Sequence, residues 1–173
     1  MILNEELTFG DVRYLVSSKS GFSKHREKFT QVSPDFGKSF DGFPDKVKLD
    51  AGVILARLDF EVLAGIRGFF NSAWWLKEAA MRELMDANSQ DFATLRREWQ
   101  HRSALPKASK GIRTQIVEIQ LTAPAYAWVG QASAMFHKPG GIEQVYLPNL
   151  ARGTSGQRSN FACLHHTYTI PAV

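Results

Sequence analysis

The chain changes its period near Arg113, and that switch constrains the fold more than any other feature. Ahead of it, Lys77 to Ala87 carries Ala79, Ala80, Met81, Leu84 and Met85 at helical spacing. Asp91 to Arg102 repeats the pattern with Phe92, Leu95 and Trp99. Asn88-Ser89 reads as a stop for the first helix and a cap for the second, and Pro106 and Gly111 close the helical part. After Arg113 four β-prone runs follow: Gln115–Leu121, Tyr126–Gly130, Glu143–Leu147 and Cys163–Ile170. Gly153-Thr154-Ser155-Gly156 has the composition of a mobile loop. This order predicts an α+β chain, with helices mainly in the N-terminal two-thirds and strands towards the end.

The upstream part is less regular. Asp11 to Val16 reads as a short first strand. Residues 17–48 read as a long loop pinned by Phe22, Phe29, Phe36, Phe40 and Phe43. Leu49 to Leu63 fits helix or strand, and Phe69 to Trp75 fits a strand or strand end.

With 173 residues, 44% hydrophobic and 22% charged, the chain suits one domain, 1–173, with a substantial core. The formal charge of +4 permits a polyanionic partner without demanding one. A single cysteine, Cys163, forbids an internal disulfide and a four-cysteine zinc site, and its apolar neighbours predict a buried, inert thiol. No run approaches the roughly 20 apolar residues of a membrane span. The start has no basic region followed by an apolar one, so no signal peptide is expected.

Several segments are candidates for chemistry. Pro139-Gly140-Gly141 turns sharply into a β-prone run, with Glu143 and Gln144 at the junction; the double glycine also lets a ligand approach the backbone. The same residues suit a plain turn with surface polar side chains. Ser72 beside Trp74 and Trp75 suits an aromatic wall with a hydroxyl at its edge, and equally suits core tryptophans, one facing in and one out. Arg13, among apolar strand residues, suits a phosphate or carboxylate contact or an outward edge charge. Of the five histidines, His137 is the best functional candidate because it precedes the Gly-Gly turn, and no spacing matches a metal site. There is no Walker A loop, no GxGxxG after a strand, no GxSxG elbow and no HExxH.

In order, these features resemble the ADP-ribosyltransferase-like, NAD+-consuming toxin domains of bacteria. That group includes the C-terminal toxins of polymorphic and Rhs-type systems and the tuberculosis necrotising toxin type. Their pattern of a Phe before a Pro-Gly-Gly turn and a Gln opening a strand is matched by Phe136, Pro139-Gly140-Gly141 and Gln144-Val145-Tyr146. Arg13 is the counterpart of the dinucleotide-contacting residue on the first strand, and Ser72 of the Ser or Thr before a helix. The likeness runs in order over residues 11–150 and is close only at Gly-Gly-x-x-Gln. The chain departs from the wider family in lacking a Glu-x-Glu or Gln-x-Glu pair.

The resemblance implies a split β-sheet core and NAD+ as co-substrate. It implies Glu143 stabilising positive charge on the ribose, Gln144 fixing the ribose and Arg13 holding the pyrophosphate. Trp74 or Trp75 would stack on nicotinamide, with Ser72, Phe136, His137, Gly140 and Gly141 also at the cofactor. It further implies delivery by a larger apparatus such as type VI secretion, action in the target-cell cytoplasm, and an immunity protein partner. Three functions stay open: ADP-ribosyl transfer to a protein or RNA, NAD+ hydrolysis on the same fold, and a non-enzymatic binding or structural domain.

Overall fold

A computed structural model describes residues 1–7, 40–41, 44–59, 70, 73–88, 91–103, 113–134, 138–151 and 158–170. Its elements run β1 (Asp45–Leu49), β2 (Ile54–Asp59), β3 (Trp74–Lys77), α1 (Glu78–Ala87), α2 (Phe92–Arg102), β4 (Gln115–Leu121), β5 (Ala125–Gln131), β6 (Glu143–Tyr146) and β7 (Ala162–Thr169). The strands form one sheet in the order β1-β5-β6-β3-β2-β4-β7, and every paired neighbour is antiparallel.

The α+β class is as expected, but the helices are not gathered at the N-terminal side. Three strands precede them, and the two described helices lie mid-chain. All of β1 but its last residue lies in the segment expected as loop. Its Lys46-Val47-Lys48-Leu49 alternates polar and apolar, the period of a half-buried strand, and edge lysines discourage pairing with other chains. Of the ambiguous stretch Leu49 to Leu63, the described part holds the end of β1 and the strand β2, and residues 60–63 lie outside the described residues. The expected first strand at Asp11–Val16 and the glycine-serine loop at 153–156 lie outside the described residues.

β3 is the seam of the sheet. Its first two residues pair with β6 (Trp74↔Tyr146, Trp75↔Val145) and its last two with β2 (Leu55↔Lys77, Ala56↔Leu76). The two wings, β1-β5-β6 and β2-β4-β7, therefore diverge from a strand four residues long. β4 and β5 are consecutive but belong to different wings. The chain crosses at Thr122-Ala123-Pro124, where proline has no N–H for a ladder.

Side-chain alternation sorts the apolar residues into three clusters. A central one holds Leu55, Trp75, Val117, Ile119, Ala127, Val129, Val145 and Leu147 from both wings. A second packs Ala56, Leu58, Leu76 and Ile116 against Met81 and Leu84 of α1 and Leu95 and Trp99 of α2. A third sets Leu7 and Phe40 against Trp128 and Tyr146. The exposed Cys163 corrects the expectation of a buried thiol: β7 presents residues 163–166 to solvent, and the apolar neighbour Leu164 is itself 45% exposed.

Each helix buries one stripe and is closed at its ends. Asn88 donates from Nδ2 to the Leu84 carbonyl at 2.8 Å and closes α1. Asp91, not the Asn88-Ser89 pair, caps α2, accepting from the Ala93 and Thr94 amides at 3.0 Å each.

Candidate active site

The Gly-Gly turn docks on the C-terminus of α2, where the last carbonyls have no intrahelical donor. Gly140 N–H donates to the His101 carbonyl at 3.2 Å and Ile142 N–H to that of Arg102 at 3.1 Å. Gln144 Nε2 donates to the Ser103 carbonyl at 3.1 Å. Alternate residues of one short segment thus satisfy three successive carbonyls. Gly141 N–H and the Ala132 carbonyl, at 2.7 Å, and Ala132 N–H and the Ile142 carbonyl, at 2.8 Å, bind the turn to the end of β5. Gly140 has φ of 70°, and a Cβ there would stand 2.3 Å from the Ala132 carbonyl oxygen, so only glycine fits. Gly141 has φ of 89° but faces open space.

Beside this turn a cavity of about 180 Å³ opens where the wings diverge. The β3–β6 pairing ends at Trp75↔Val145, one residue short of Gln144. Trp74, Trp75 and Gln144 line the cavity from the β6 side and Arg57, Leu58 and Leu76 from the β2 side. Trp99, Ser103 and Arg113 complete it.

Two arginines are stacked on two tryptophans. The Arg57 guanidinium lies 4.5 Å from the Trp75 ring centre and that of Arg113 lies 4.8 Å from Trp99. Arg57 is only 8% exposed and is ion-paired with Asp59. Burial lowers its pKa, against the pull of Asp59. Burial also brings Arg113 down to about 10; Asp59 opposes this and Arg57 adds to it. Lys138 is lowered as well, first by burial and then by Arg113. Arg113 thus lies within reach of both Arg57 and Lys138, an arrangement of like charges that favours an incoming anion.

The structure brings together Trp74, Trp75 and Gln144 of the residues singled out from sequence, with Gly140 and Gly141 as their support. Glu143 is not in the cavity. It sits 39% exposed, ion-paired with Lys77 at 2.8 Å, because adjacent strand residues face opposite ways. Arg13, Ser72, Phe136 and His137 lie outside the described residues. Arg57, Arg113, Trp99 and Ser103 were not anticipated. Arg57 carried the signal that drew attention to Arg13, an arginine enclosed by apolar strand residues (Leu55, Ala56 and Leu58).

No family model matches the chain, and no curated protein matches it. Solved structures do share its fold. Rhs1-CT, determined in complex with its cognate immunity protein RhsI1, is 18% identical with a TM-score of 0.50, over 74% of this chain and 82% of that one. Tne2, determined in complex with Tni2, is 13% identical with a TM-score of 0.53, over 78% of this chain and 99% of the other. At such identities the likeness is one of fold.

Proposed function

We propose that this chain is a toxin-type domain that consumes NAD+ by cleaving its nicotinamide–ribose bond, with water as the acceptor of ADP-ribose. The observation that carries this reading is the cavity itself, where a buried and a partly buried arginine, an indole wall and the amide of Gln144 converge at the seam of the sheet. Such a set matches a ligand made of a pyrophosphate, a flat ring and ribose hydroxyls. The fold shared with Rhs1-CT and Tne2 supports the toxin part. Both were determined with a bound partner, which supports an immunity protein for this chain and delivery into a competing cell.

In this reading Arg57 and Arg113 hold the pyrophosphate, in the role first given to Arg13. Trp74, the less buried of the two adjacent tryptophans, forms the wall for nicotinamide, while Trp75 supports Arg57. Breaking the bond builds positive charge on the ribose and releases neutral nicotinamide. Only the amide nitrogen of Gln144 can donate to the Ser103 carbonyl, so that bond fixes the amide and leaves its oxygen, an acceptor, for a ribose hydroxyl or the developing charge. An oxocarbenium-like centre is electrophilic enough to capture water without a strong base. That favours hydrolysis here, since the carboxylate of Glu143 is engaged with Lys77 away from the cavity.

Transfer of ADP-ribose to a protein or RNA is the second reading. The charge of +4 and the half-exposed Glu143 favour it. Incubation with NAD+ labelled in the ADP-ribose half separates the two. Free labelled ADP-ribose is expected. Label fixed to added protein or RNA would establish transfer instead, and absence of turnover by folded protein would remove both NAD+-consuming readings.

A further inference from the structure

Two polar groups at the cavity are buried at a cost that the fold does not explain. Trp99 and Ser103 are 5% and 4% exposed, and both line the cavity. The indole Nε1 of Trp99 and the hydroxyl of Ser103 have no hydrogen-bond partner among the described residues. A buried donor without an acceptor destabilises the folded chain and ordinarily has a reason to persist. Phenylalanine would keep the ring under Arg113, and alanine would keep the backbone of residue 103, without that cost.

Their surroundings define the missing acceptor. Arg57 and Arg113 border the same cavity, and Asp59 opposes the effect of burial on both. The negative end of α2 would oppose an anion here. Its carbonyls at residues 101–103, however, already receive Gly140 N–H, Ile142 N–H and the Gln144 amide. The turn thus removes the electrostatic objection to placing an anion beside the helix C-terminus.

We propose that Trp99 Nε1 and Ser103 Oγ are recognition donors for a phosphate-class oxyanion of the ligand, completing a cradle with Arg57 and Arg113. The inference rests on the functional reading for the natural source of that oxyanion, the pyrophosphate of a dinucleotide, and binding is measured apart from turnover. A neutral ring ligand does not use these donors.

Calorimetry on the full chain with inorganic pyrophosphate, ADP-ribose and nicotinamide tests this, alongside Trp99→Phe and Ser103→Ala. Wild-type protein is expected to bind the two phosphate compounds. Each variant should weaken them by roughly tenfold to a hundredfold. The Tm of unliganded Ser103→Ala should be unchanged or higher, since that change removes an unsatisfied buried donor at little cost in packing; a merely structural role would lower it. Full affinity in both variants, lack of pyrophosphate binding by wild type, or a loss confined to nicotinamide would overturn the inference. NAD+ turnover insensitive to both changes would overturn it while leaving the hydrolase reading intact. Donor-dependent anion binding without turnover would support it and remove the hydrolase reading.

Discussion

Two regions meet at the cavity and are built by opposite means. The turn from Gly140 to Gln144 is mostly backbone, and its amides close a helix and a strand end within a few residues. The arginine pair is mostly side chain, and Arg57 and Arg113 arrive from places far apart in the sequence and are supported by the faces of Trp75 and Trp99. The turn is sterically strict and electrostatically quiet. The pair is sterically forgiving and electrostatically expensive, because burial costs both cations and Asp59 repays only part. A change in the turn should therefore be felt as folding, and a change in the pair as binding.

The sharpest way to break that contrast is Gly140→Ala. It places a methyl against the Ala132 carbonyl at a positive φ, and should destabilise the chain by roughly 3 kcal/mol or more in a urea titration. A near-neutral result would mean that the turn is not docked as described. Next comes Arg113→Met, which replaces a partly buried cation with an apolar chain of similar length. Stability should stay within about 1 kcal/mol of wild type or rise. NAD+ turnover should fall at least about a hundredfold, as expected for a lost charged contact to phosphate. Loss of fold with turnover retained in the surviving protein would reverse the assignment.

The smallest effects separate neighbours on β6. Gln144→Ala strips the Ser103 carbonyl of its donor and should cost about 1–3 kcal/mol together with most of the turnover. Glu143→Ala breaks a surface ion pair and should cost less than about 1 kcal/mol, with turnover little changed. Equal loss of turnover in both would return Glu143 to the catalytic role that the family resemblance implies.

What could be read from the sequence follows the same division. Both described helices were legible from their apolar spacing, and the four strands after Arg113 from β-prone runs several residues long. The Gly-Gly turn was legible because a special backbone conformation demands a special residue. β1 was hidden in a segment whose phenylalanines, lysines and prolines suggest a loop, and its pairing with β5, some eighty positions away, leaves no local mark. The arginine pair was hidden for the same reason. Nothing near Arg113 announces Trp99 beneath it, and Arg57 differs from any other strand arginine only through the strand that lies beside it. Gln144 was legible as a motif residue, but its bond to Ser103 joins the end of a helix to the start of a strand and appears only once both are in place.

The seam at β3 has a mechanical consequence. Two residue pairs tie it to each wing, so the strand is a narrow join between larger plates. Arg57 rides on one plate and Gln144 on the other, and a ligand that engages both rivets the plates together. Occupancy should then appear as resistance to prising the wings apart, for instance as slower amide exchange along β3.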